Sequence, residues 1–161
     1  MSAIKKIEAV LGTGLLLPQL MIVPKRGATD NEIRHEEALL GRSLCPDHAA
    51  ILRRWNGIAM EVVRLFGCGD NASEVGRLSA LQMHGDFGVK GAIIIGSDAS
   101  GFAYLQAADG RVFSLDTDGG EFKQLAIGLD EFFERLVFGP EAASFAGEDW
   151  LAELREVGIV N

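Results

Sequence analysis

The spacing of apolar residues changes along the chain, and each change predicts a different element. In residues 4–11, Ile4, Ile7 and Leu11 recur at i, i+3 and i+7, the one-sided stripe of a short helix that Gly12 and Gly14 end. Residues 15–23 are almost wholly apolar but bracketed by Pro18 and Pro24, which predicts an extended segment laid over the core. Thr29 followed by Glu32 is a capping box, so a helix is expected to start there, with Ile33, Leu39 and Leu40 on its apolar side and Gly41 at its C-terminal cap. Pro46 suits the first turn of a second helix, filled by Ala49, Ala50, Leu52, Arg53 and Trp55. That helix stops at Asn56-Gly57, a pair expected to take positive φ and reverse the chain. The two helices form a hairpin.

The period then falls to two. Residues 62–66 are apolar and β-branched and predict a strand, whereas residues 71–90 are weakly patterned and predict a loop with one helical turn at 79–83. Ile93-Ile94-Ile95 is a short strand run closed by Gly96. Residues 102–105, then Val112, Phe113 and Leu115, then residues 122–127 predict three more strands, joined by turns at 98–101, Asp109-Gly110 and 117–120. Connections this short imply an antiparallel meander. After Gly128 the period lengthens to about four. Leu129, Phe132, Phe133 and Leu136 line one face of a helix that carries Asp130 and Glu131 in its first turn, and Trp150, Leu151, Leu154 and Val157 line another at 148–157. The expected architecture is α+β in a single domain over residues 1–161. Residues 1–28 form an N-terminal extension packed on a core at 29–137, and a C-terminal helix lies in 138–161.

Composition changes this picture little, but charge changes it. A chain of 161 residues is of ordinary single-domain size, and 48% apolar with 24% charged residues is an ordinary globular mixture. Two cysteines, Cys45 and Cys68, cannot build a disulfide framework, and the apolar 15–23 run is too short for a bilayer and lacks a cleavage signature. A cytoplasmic protein is the expectation. Residues 1–97 hold 11 Lys/Arg and 10 Asp/Glu, a sum of +1; residues 98–161 hold 4 and 13, a sum of −9. A negative second half disfavours nucleic acid and anionic membranes and suits a basic protein partner. Several turn acids of the meander, Asp98, Asp109, Asp116, Asp118 and Glu121, are expected to share one negative rim that makes the contact.

Three stretches in order resemble a known family. They are Thr29-Asp30-Asn31-Glu32-Ile33 with Leu40 to Asp47 and Leu52-Arg53-Arg54-Trp55-Asn56-Gly57; Ile95-Gly96-Ser97-Asp98 with Asp109-Gly110-Arg111-Val112-Phe113; and Gly128-Leu129-Asp130-Glu131-Phe132-Phe133. Together they are similar to the SUKH superfamily, which includes the yeast cell-wall regulators of the Smi/Knr type and many bacterial immunity proteins. Trp55, Asn56, Gly57, Gly96, Asp98 and Gly110 carry the signature. Cys45 stands where Pro or Ser is more usual, and Ala99-Ser100 replaces a more Gly-rich turn. The resemblance implies a non-catalytic protein-binding module that neutralises a cognate toxin by direct contact. An intracellular scaffold or regulatory protein is the alternative.

Other chemistries find little footing. His35, His48 and His84 stand apart, Cys45-x-x-His48 offers one zinc-ligand pair where four ligands are needed, and Gly12-x-Gly14 lacks the rest of a dinucleotide fingerprint. Asp116-x-Asp118-Gly119 opens like a calcium loop, but Glu121 comes too early to close one. No catalytic residue, metal or cofactor is expected. His48 reads as a partly exposed surface residue, and Cys68 in Gly67-Cys68-Gly69-Asp70 as a small strand-end residue rather than a hydrolase nucleophile. Phe113, Phe132, Phe133 and Trp150 read as core. Trp55 either wedges between hairpin and sheet or lies partly open as a contact anchor.

Overall fold

The computed structural model describes residues 2–16, 21–83 and 87–161; part of the 15–23 run and His84 lie outside them. Helix α1 spans Ala3–Gly12 and buries Ala3, Ile7 and Val10. The capping box at Thr29 forms in both directions, with Glu32 N–H donating to Thr29 Oγ1 at 3.2 Å and Thr29 N–H to the Glu32 carboxylate at 2.8 Å. Arg26 grips the same carboxylate bidentately at 2.9 and 2.8 Å. Those bonds, with the Thr29 amide, hold the Glu32 carboxyl down at about 2. From this cap α2 runs over Asp30–Leu40 and ends at Gly41. Pro46 begins α3, Pro46–Arg54, and Trp55 after it is buried against the core with Arg54 stacked over its ring, which settles the two placements open to it.

Among the described residues, six strands form one antiparallel sheet in the order of the chain. They are β1 Ile58–Ala59, β2 Arg64–Leu65, β3 Ile93–Ser97, β4 Phe102–Gln106, β5 Val112–Asp116 and β6 Phe122–Ala126. The strand expected at 62–66 is therefore only two residues long. Val62 and Val63 sit in the turn from β1, where Met60 N–H donates to Val63 O at 2.9 Å, and β1 itself was not anticipated. Gly96 does not end β3; it sits within it beside a bulge, because a Cβ there would lie 2.1 Å from the Arg64 carbonyl oxygen. At the hairpin exit only Gly57 takes positive φ (+80°), contrary to the expectation for Asn56. Asn56 is buried instead, accepting from Cys68 N–H at 2.7 Å and donating to Cys68 O at 2.9 Å in the manner of a paired strand residue. The helical turn near 79–83 is a 3-10 turn at Leu78–Ala80.

Strands β3 to β5 are buried at nearly every position, so both faces of the sheet centre are covered, while β6 exposes two consecutive residues, Lys123 and Gln124. After Gly128, α4 (Leu129–Glu131) widens into a π-helical stretch over Phe132–Val137, closed by Phe138 N–H donating five residues back to Phe133 O at 2.9 Å. The wider turn buries Phe132, Phe133, Leu136 and Val137 together. Rings of Phe132, Phe145 and Tyr104 meet at 5.4–5.7 Å, and Trp150 donates to Val137 O at 2.7 Å. Each fully buried phenylalanine contributes about 2–3 kcal/mol of apolar burial. Two helices follow rather than the one expected in 138–161: α5 (Ala142–Ala146) and α6 (Glu148–Glu156). The start of α1 is tied to this C-terminal layer by Ala3 N–H donating to Asp130 and by Lys6 Nζ donating to Ile159 O at 3.1 Å.

Candidate functional site

The acids of the chain serve two purposes, and geometry sorts them. Asp98 opens the β3–β4 turn, and its Oδ1 accepts the amides of Ser100 and Phe102 at 2.8 and 3.1 Å. Its Oδ2 accepts from the Tyr104 hydroxyl at 2.7 Å; burial, then this bond, pushes the Tyr104 pKa up. Asp116 caps the β5–β6 turn in the same way, accepting the amides of Asp118 and Gly119 at 3.0 and 3.1 Å. The two turns are neighbours, because Phe102 pairs with Asp116 and Thr117 N–H donates to Gly101 O at 3.1 Å. Asp98, Asp116, Asp118 and Glu121 thus gather at one end of the meander, and among the described residues no Lys or Arg forms an ion pair with any of them.

Asp109 does not join them. Its turn lies at the opposite end of β4 and β5, a strand length of about 17 Å away. There Arg111 pairs with it at 2.8 Å, and the Arg111 amide and guanidinium hold its carboxyl below the ordinary range. The expected five-residue rim is a four-residue cluster.

The Asp109 end is where the helical hairpin docks. Arg42, in the loop between α2 and α3, donates to Gly91 O, to Gln106 O at 3.1 Å and to Cys45 Sγ at 3.5 Å. Asp47 accepts the Gln106 side-chain amide at 3.1 Å and the Leu129 N–H at 2.8 Å, so one carboxylate joins α3, β4 and α4. This end is occupied.

Three side chains have roles not anticipated from the sequence. Glu36 of α2 is fully buried and accepts the amides of Gly69 and Ser79, each at 3.0 Å, together with Arg77 Nε at 2.6 Å. Burial alone would raise its pKa, but these donors outweigh it and the carboxyl titrates below its usual range. Glu36 lies four residues before Leu40 and three after Ile33, on the apolar stripe, and that placement is the signal that finds it. His48, expected partly exposed, is fully buried, with neither ring nitrogen hydrogen-bonded among the described residues. Burial pushes its pKa down to about 4, against an opposing effect of Asp47. Asp47 itself, a helix-start residue by sequence, is the third.

Cys68 is fully buried, and burial followed by Glu36 pushes its thiol up to about 12, far from the thiolate a nucleophile needs. Cys45 is also buried, its Sγ directed at the Ala107 carbonyl at 3.4 Å. No group of three or more His, Cys, Asp or Glu side chains among the described residues is placed to hold a metal, and none of their helices is long and apolar enough to cross a membrane.

Beside the acidic end runs an open cleft of about 700 Å³ between the sheet and the C-terminal helices. Asp98, Tyr104, Glu121, Lys123, Arg135 and Phe145 are among its lining. Arg135 is already engaged by Glu131 at 3.2 Å and by Glu141 at 2.5 Å. The cleft joins an aromatic wall to a carboxylate mouth, the combination that suits the stem and head of a lysine or arginine. No protein-family model matches the chain, and no curated protein matches it in sequence.

Proposed function

We propose that the protein is a non-catalytic binding module that grips a basic protein partner through the acidic end of its meander. One observation carries this reading: four turn acids stand together without a cationic partner among the described residues, whereas Asp109 at the docked end is neutralised. Asp98 and Asp116 are already oriented by backbone amides, so their charge is fixed in place before a partner arrives and little ordering entropy remains to be lost. Concentrated negative potential of this kind speeds association and selects against acidic partners. Neutralisation of a basic toxin domain is the form of this function that the SUKH resemblance implies. Burial of Cys68 supports leaving a cysteine nucleophile out of it.

Capture of partners from lysate of the source cells, with wild type beside Asp118→Asn/Glu121→Gln, tests the reading. These two acids hold no side-chain hydrogen bond within the fold among the described residues, so their loss spares stability. A basic partner retained by wild type and Asp109→Asn, and associating at least tenfold more slowly with the double variant at low salt, is the expected result. A partner bound equally by all three proteins would sink the acidic-end reading.

A further inference from the structure

The sheet has two edges, and among the described residues only one is closed. At β1, Ile22 and Ala59 exchange both backbone hydrogen bonds at 3.0 Å. The stretch of β3 beyond the short β2 is closed by Gln82, whose amide accepts from Ile94 N–H at 2.9 Å and donates to Ile94 O at 2.8 Å. No strand follows β6.

Pairing with β5 determines which β6 groups face outward. Asp116 N–H donates to Glu121 O at 2.8 Å, which makes that a hydrogen-bonded pair. Antiparallel alternation then makes Leu115↔Phe122 and Phe113↔Gln124 the non-bonded pairs. The N–H and C=O of Phe122 and of Gln124 therefore point away from β5, and among the described residues no group is placed against them. The opening ends at residue 125, where Leu125 O accepts from Arg135 at 2.8 Å, and beyond it Ile127 N–H donates to Glu131 at 2.7 Å. Gln124 and Lys123 also line the cleft described above, so the open backbone and the carboxylate mouth adjoin.

We propose that β6 accepts an extended, basic segment of the partner protein as a seventh strand, with a lysine or arginine of that segment seated in the cleft. The proposal rests on the binding reading above and narrows it to one edge and one ligand conformation. Charge chooses the occupant. Asp98 and Glu121 at the mouth, with Asp116 and Asp118 beyond them, outnumber Lys123, and Arg135 is already neutralised. A second copy of this chain would bring the same excess of negative charge to the edge and set lysine against lysine across it. A basic strand meets neither obstacle, and main-chain bonds would supply affinity while the cleft supplies side-chain choice.

The test uses the whole protein and a blocked hexapeptide of alternating arginine and valine. Nitrogen-15 chemical-shift mapping and amide hydrogen exchange are read with and without it. Slowed exchange at the Phe122 and Gln124 amides is expected, together with loss of binding when alternate peptide nitrogens are methylated. Gln124→Pro removes an outward donor but no β5 bond, and should weaken the peptide at least tenfold. Gln124→Lys, which leaves the backbone intact, should weaken it at least threefold. Shifts confined to the acidic turns, without protection of those two amides, would discard the edge and leave the acidic-end reading standing. Equal binding of an alternating glutamate–valine peptide would overturn both. A dimer at rising concentration with the same two amides protected would assign the edge to a second copy and overturn the proposal.

Discussion

Two groups of carboxylates face each other across this molecule and behave as different chemical species. Glu32, Glu36 and Asp47, in and beside the helical hairpin, are each held by several donors and join elements far apart in sequence. Asp98, Asp116, Asp118 and Glu121, at the other end of the meander, hold at most their own turn and the Tyr104 hydroxyl, with no Lys or Arg paired to them among the described residues. Net charge by halves separated the two groups only roughly. What separates them physically is whether a cation or buried amide lies within reach, because a carboxylate is worth most to stability where desolvated donors surround it and most to recognition where none do.

Substitutions should widen that contrast, beginning with the largest loss. Glu36→Ala strips a buried acceptor from Arg77, Gly69 and Ser79 and should cost about 3–5 kcal/mol in urea unfolding, with the 69–79 loop the first to gain exchange. Next comes acidification. His48 is neutral in the fold with its pKa near 4, and an unfolded imidazole titrates near 6.5. The unfolded chain therefore binds the extra proton first, so stability is full above pH 6.5 and is lost as pH falls toward 4, by about 3 kcal/mol. His48→Leu should flatten the unfolding midpoint across that window, while the loss due to Glu32, set between its ordinary range and about 2, should persist at lower pH. Asp47→Ala should cost about 2 kcal/mol and free the start of α4, read as faster exchange of the Leu129 amide. Asp118→Asn/Glu121→Gln should change stability by less than about 0.5 kcal/mol while slowing partner association, most at low salt. If that pair proved as destabilising as Asp47→Ala, the division between the two groups would fail.

Much of the fold is legible because local signals agree with it. The capping box at Thr29, Pro46 at a helix start, and turn residues spaced between short apolar runs each specify an element without help from distant contacts. The parts that escape depend on such contacts. Strand β2 shrinks because Val62 and Val63 are needed in a turn that only β1 can define, and β1 has too little pattern to announce itself in two residues. The π-helical widening at Phe132–Val137 leaves no periodic trace, because Phe132, Phe133, Leu136 and Val137 would share one wide face of a regular helix as well. Within the site, the acids were legible and their grouping was not. Asp109 parts from the others because a meander sends alternate turns to opposite ends, a rule of topology that composition does not contain. Glu36 and His48 share a lesson. Each sits on the apolar stripe of its helix, three or four residues from Ile33, Leu40, Ile51 or Leu52, and a polar residue on such a stripe is a buried polar residue until shown otherwise.

The bond from Ala3 to Asp130 spans 127 residues, whereas every strand of the sheet pairs with its neighbour in sequence. In folding terms, strands β3 to β6 can zip by closing one short loop after another, each at small entropic cost, before α1 has anything to dock on. The N-terminal helix should therefore arrive last and leave first. Pulse-labelled hydrogen exchange should show the amides of β4 and β5 protected while those of α1 are still open, and native-state exchange should find α1 detaching at a lower free energy than the sheet needs to unfold.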